Sequence, residues 1–164
     1  MNVLEARAIL FSCLEGGGEY WTREIEMHGP IEVLGQIKKG IYDPIRFEKT
    51  ISKVRITDPA WVLSSIISSG SQFLTPEDPG WPSKLDDLSA IPIGLVVKGS
   101  IDALHIPSLA IVGTRNPTNY GVRVAGKFEA GFGDRTWALI DGGAYGMERT
   151  AHRGEFVAEG ETLD

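Results

Sequence analysis

Cys13 is the only cysteine in 164 residues, so no internal disulfide framework and no cysteine-based metal site can form. A buried, inert thiol is the expected state. Long apolar runs are missing too. Nothing approaches the roughly 20 consecutive residues that span a bilayer, so no membrane segment is expected. The opening Met1-Asn2-Val3-Leu4-Glu5-Ala6-Arg7 lacks the basic region and long apolar stretch of a signal peptide, which makes the cytoplasm the expected compartment. An excess of positive charge is also absent. The net charge is −6, and both the first hundred residues and the remainder are acidic. This argues against a strongly basic, non-specific nucleic-acid binder, though a local positive groove stays possible because phosphate contacts follow local charge. Apolar residues make up 42% and charged residues 23%, the proportions of an ordinary soluble protein, so a sizeable core is within reach.

Proline and glycine punctuate the first part of the chain. Val3, Leu4, Ala8, Phe11 and Leu14 have the spacing of one helical face, closed by Gly16-Gly17-Gly18. Trp21, Ile25 and His28 suggest a second short helix ending at Gly29-Pro30. Pro30 then opens Ile31–Lys39, with Gly40 as its C-terminal stop. Asp43-Pro44 repeats the device before Phe47, Ile51 and Val54, and Asp58-Pro59 repeats it before Trp61–Ile67. Residues 1–68 therefore read as a small helical module of SAM or helix-hairpin-helix type. The Gly29-Pro30-Ile31 corner and Lys38-Lys39 leave a nucleic-acid contact and plain packing both open.

The texture changes after Gly70. Residues 69–107 read as a proline-rich connection with accessory strands at Phe73-Leu74 and Gly94–Lys98. The segment Thr75-Pro76-Glu77-Asp78-Pro79-Gly80-Trp81-Pro82 must be extended or turning. Trp81 reads as an anchor to the core, with base stacking as the alternative.

Residues 108–164 carry a β-α-β-α pattern. Leu109–Val112 is an apolar, partly β-branched run expected to be a strand buried on both faces of a parallel sheet. It ends at Gly113, and a helix follows from about Thr118, a plausible N-cap, to Ala130. Trp137–Ile140 is a further strand, then come the glycine loop Asp141–Gly146 and a last helix over about Met147–Ala158. The fold class expected is α/β, the first half of a Rossmann-like parallel sheet preceded by an all-helical module. Both glycine turns would lie at the carboxyl ends of neighbouring strands, where ligands bind in such sheets. Free amides, a helix N-terminus and Arg115 make the first turn a candidate phosphate site, with a solvated loop arginine as the plain alternative. The dinucleotide fingerprint G-x-G-x-x-G is not met, because Gly113-Thr114-Arg115-Asn116-Pro117-Thr118 has no second glycine.

Three separated motifs carry a resemblance. They are Phe73–Pro82, Gly113-Thr114-Arg115 with Thr118-Asn119-Tyr120-Gly121, and the loop Asp141 through His152. Together they resemble the DNA processing protein A (DprA, Smf) family, in order, from about residue 25 to 160. The resemblance implies a non-catalytic, cytoplasmic, single-stranded DNA-binding protein with no cofactor. Such a protein acts in DNA uptake by natural transformation and in recombination, where it loads RecA recombinase and forms homodimers. The residues it assigns to DNA phosphates are Gly113, Thr114, Arg115, Gly142, Gly143 and Gly146, with Tyr145 free to stack on a base. His152 reads as a structural hydrogen bonder. Asp141 stands where the family has serine, which sets a negative charge beside the phosphate path, and Tyr145 replaces an arginine common there. The chain stops at Gly160–Asp164, where family members continue with further strands and helices. The expectation is therefore a C-terminally truncated relative, a fragment, or a chain completed by a partner, with one sheet face uncovered. Other families use a similar glycine-rich half-sheet for a single nucleotide, so a nucleotide sensor or nucleotide-processing protein is the alternative function.

Overall fold

The computed structural model describes residues 1–14, 18–133, 137–140, 142 and 162–163. The chain divides into two units, Met1–Gly99 and Ser100–Asp164.

Five helices open the first unit: α1 (Val3–Cys13), α2 (Glu19–His28), α3 (Pro30–Lys39), α4 (Glu48–Ile56) and α5 (Pro59–Ser68). Their boundaries follow local chemistry. Asn2 Oδ1 accepts from the Glu5 amide at 2.8 Å while the Glu5 carboxylate accepts from the Asn2 amide at 2.9 Å, a reciprocal cap on α1. Pro30 and Pro59 each occupy a first-turn position where a missing N–H costs nothing. Gly40 ends α3 in the left-handed region, at φ 72°, and its N–H returns to the carbonyls of Gln36 and Ile37. Asp58 caps α5 by accepting from the Ala60 amide at 3.0 Å.

The core is helical. Ala6, Ile9 and Leu10 of α1 meet Val33, Leu34 and Ile37 of α3 and Val54 of α4, all fully or almost fully buried. The expected face of α1 holds in part. Ala8 and Leu14 are buried, but Leu4 and Phe11 reach the surface, and Ala6, Arg7, Ile9, Leu10 and Cys13 are buried as well. The helix lies against α3, α4 and α5 together, so it buries more than one stripe. Cys13 is indeed buried, with Sγ 3.3 Å from Thr57 Oγ1.

Arg7 is the unusual member of that core, at 7% exposure. Its Nε and Nη2 both donate to Glu77 Oε1, at 3.0 and 2.7 Å, and Nη1 donates to the Ile93 carbonyl at 3.0 Å. These bonds tie α1 to the proline-rich segment, which carries no regular structure from Thr75 to Pro82, as expected. Asp78 organises that turn by accepting from the amide and the hydroxyl of Thr75, at 2.7 and 2.8 Å. Trp81 is buried and donates from Nε1 to Asp86 at 3.1 Å, which makes it the anchor and removes its ring from any base.

A short antiparallel sheet follows the helices. β1 (Gln72–Leu74) pairs with β2 (Leu95–Val97), Phe73 opposite Val96. The Phe73 ring packs edge-on against Phe11, with centroids 5.2 Å apart, and covers Gly94. A Cβ at Gly94 would fall 2.6 Å from two carbons of that ring and 3.1 Å from the Leu74 carbonyl oxygen. Gly94→Ala is therefore expected to cost about 1–3 kcal/mol. Urea melts of Gly94→Ala, Phe73→Leu and the double variant check this, since a smaller side chain at 73 should recover part of the loss.

In the second unit, β3 (Ser108–Ala110) and β4 (Ala138–Ile140) are parallel neighbours joined through α6 (Asn119–Gly133), and β5 (Thr162–Leu163) lies parallel on the far side of β4. Leu109 is opposite Leu139, and Ile140 is opposite Leu163. Strand β5 lies in the Gly160–Asp164 stretch, where the next core strand is expected to begin. The expected last helix, Met147–Ala158, lies outside the described residues. The first strand is not buried on both faces as expected. Ala110 is exposed and Val112 is 82% exposed, since this segment borders an open groove beside α6 rather than a closed layer.

Candidate functional site

The site begins where the parallel ladder ends. The Ala138 amide donates to the Pro107 carbonyl at 2.9 Å and the Ile111 amide to the Ile140 carbonyl at 3.0 Å, so β3 and β4 terminate side by side. Gly113 follows one end by three residues and Gly142 follows the other by two. Both are exposed. Gly143, Tyr145 and Gly146, together with Asp141 and His152, lie outside the described residues.

Thr114 shapes the turn: its Oγ1 accepts from the Asn116 amide at 3.2 Å, while its hydroxyl proton stays available to a ligand oxygen. Arg115, at the tip, is exposed, and among the described residues no carboxylate pairs with it. Thr118 is the N-cap of α6. Its Oγ1 accepts from the Gly121 amide at 3.2 Å and its carbonyl from the Val122 amide at 3.0 Å. The amides of Asn119 and Tyr120 lead the helix with no acceptor among the described residues. A guanidinium, a hydroxyl and leading helix amides thus share one turn, a combination suited to an anion.

Beside the turn runs an open apolar groove of about 370 Å³ between β3 and α6, lined by Leu109, Ile111, Val112, Tyr120, Val124 and Phe128. Tyr120 is 70% exposed and brings an accessible ring next to the turn. The stacking role expected of Tyr145 falls on a residue outside the described ones, whereas Tyr120, expected only as part of the Thr118–Gly121 motif, presents its ring at the second position of the helix that opens on the turn. No cluster of three His, Cys, Asp or Glu suited to a metal occurs among the described residues, and no described helix is long and apolar enough to cross a membrane.

Helices ahead of a short antiparallel sheet, followed by a small second unit, define a fold like that of DNA processing protein A. The structure of that protein from Streptococcus pneumoniae superposes with a TM-score of 0.72 at 20% identity, over 99% of this chain and 57% of that one. The chain belongs to the DNA recombination-mediator protein A family, whose model matches residues 72–164. Among curated relatives, the putative DNA processing protein DprA of Mycobacterium tuberculosis is 29% identical over 148 residues, covering 82% of this chain and 38% of that protein. Protein Smf of Synechocystis is 31% identical over 120 residues, covering 71% and 30% respectively. The chain thus spans about a third of the length of the curated relatives it matches.

Proposed function

We propose that this chain binds single-stranded DNA through the turn Gly113-Thr114-Arg115 and the loop that holds Gly142, Gly143, Tyr145 and Gly146. It acts without catalysis, in the cytoplasm, in DNA uptake and RecA-dependent recombination. RecA and a second copy of the chain are its protein partners. The second unit is the opening portion of a Rossmann-like parallel sheet, and the phosphates lie across the carboxyl ends of its strands. The observation that carries this reading is Arg115: exposed, at the tip of a turn between a parallel strand and a helix N-terminus, with no carboxylate partner among the described residues. Tyr120 supplies a base with a ring at the same turn.

Fluorescence anisotropy of a labelled oligothymidylate tests it. Arg115→Ala should weaken binding tenfold or more, the loss of a charge-assisted hydrogen bond of about 1.5–3 kcal/mol. The slope of log affinity against log salt should flatten by about 0.7. Unchanged affinity and slope remove Arg115 from the site. Competition by a mononucleotide as strong as that by the oligonucleotide would instead favour the nucleotide-sensor reading.

A further inference from the structure

The acidic total hides one basic stretch. Residues 38–55 hold six of the chain's 16 lysines and arginines but only two of its 22 acids. All six cations, Lys38, Lys39, Arg46, Lys49, Lys53 and Arg55, are exposed, and none is in an ion pair among the described residues. Of the two acids, Asp43 is turned into its own backbone, where Oδ1 accepts from the amides of Ile45 and Arg46 at 2.8 and 3.3 Å. Glu48 is the other.

Three of the cations lie close along the chain. Lys49 and Lys53, four apart on α4, share one side of the helix, turned away from buried Ile51 and Val54. Arg46 lies in the turn just before the helix, which the Phe47 amide closes by donating to the Asp43 carbonyl at 3.0 Å. At the leading end, the Arg46 guanidinium lies over two rings, 5.1 Å from the Tyr20 centroid and 4.9 Å from that of Phe47. Those rings stack on each other at 5.2 Å. A guanidinium in cation–π contact with these rings, and in no ion pair among the described residues, keeps N–H groups available for phosphate oxygens. Ile45, 89% exposed, adds apolar surface beside it.

We infer that these cations form a second nucleic-acid-binding face, taking phosphates of a single strand at Arg46, Lys49 and Lys53 while the Tyr20 edge receives a base. It rests on the single-strand reading for its ligand, but its residues belong to the other unit. Cations interleaved with aromatic and aliphatic surface favour a polynucleotide over an acidic protein, whose carboxylates would need only the charges.

The test titrates the full chain with a labelled oligothymidylate between about 50 and 200 mM salt. The variants are Lys49→Gln with Lys53→Gln, Arg46→Lys, and Arg115→Ala. Loss of two phosphate contacts should flatten the log–log slope by about 1.4 in the double lysine variant. Arg46→Lys keeps the charge and should weaken binding severalfold at constant slope. Circular dichroism confirms that these surface changes leave the fold intact. A flattened slope with both lysines replaced supports the second face whatever Arg115→Ala does. An unchanged slope there, with a flattened one in Arg115→Ala, overturns the second face and leaves the first. Absence of wild-type binding overturns both. Equal competition by polyglutamate overturns the polynucleotide assignment of this face.

Discussion

Trp21→Ala is expected to remove about 3–5 kcal/mol from the first unit, a large part of the roughly 5–15 kcal/mol that holds a typical domain folded. Trp21 is buried in α2, and its ring meets those of Tyr20, Tyr42 and Phe47 at centroid separations of 5.1, 5.1 and 4.9 Å. Truncation leaves a cavity that three rigid rings cannot collapse to fill. The damage should spread to α4, because Phe47 sits at its N-terminal boundary. Urea unfolding followed by far-ultraviolet circular dichroism measures the loss, and a cost below about 1 kcal/mol would show that the cluster is not tightly packed. Alkaline titration supplies a second readout. Burial first, and then the Glu24 carboxylate to which its hydroxyl donates at 2.8 Å, push the Tyr42 phenol well above its ordinary value. The resulting contribution to stability is whole below about pH 10, the unfolded value, and is lost as the pH climbs toward the raised one. In Trp21→Ala the phenol should ionise at lower pH than in the wild type.

Arg7→Ala is expected to cost about 2–3 kcal/mol. Removing one partner of a buried ion pair typically costs about 3–5 kcal/mol, but the Glu77 side chain is 45% exposed, so water takes over much of its carboxylate. The Ile93 carbonyl, left without its donor, contributes part of the loss. Arg7→Lys should recover little, since an ammonium cannot reach one carboxylate oxygen and one carbonyl with the same planar fork. The variant also changes the acid limb. Burial raises the Glu77 carboxyl, but the hydrogen bonds and charge of Arg7, helped by Thr75, outweigh it and hold the group below its ordinary value. Its contribution is therefore whole above about pH 4.3 and disappears as the pH falls through the depressed folded value. Without Arg7 that part of the acid dependence should vanish. Thermal melts at neutral and acidic pH check both effects, and an acid limb unchanged in Arg7→Ala would mean that the pair contributes nothing.

Helix boundaries were legible because single residues set them. Pro30, Gly40, Asp58 and Pro59 act within one turn of their own position, and each does in the structure what its chemistry dictates. The Thr118 cap and the unstructured Thr75–Pro82 segment were readable on the same ground. The face of α1 was legible only in part, because Arg7 is buried by partners 70 and 86 residues away and no local spacing announces them. The exposure of Val112 was legible only in part: an uncovered sheet face was expected, but an apolar strand carries no record of which of its residues lie there. At the candidate site, residue types located the turn, while the exposure of Arg115 and the groove beside Tyr120 needed coordinates. The basic stretch at α4 escaped because averaging charge over a hundred residues cancels six cations that eighteen residues concentrate.

The fork of Arg7 also bears on the order in which the molecule assembles as it is made. While the chain emerges from the ribosome, the guanidinium of the first helix has neither acceptor until residues 77 and 93 are synthesised. At about 5–20 residues per second this is a delay on the order of ten seconds. Until then, closing the helices over a charge without a counterpart is unfavourable, so the nascent N-terminal bundle stays loose and open to chaperones. It locks only when the proline-rich segment arrives.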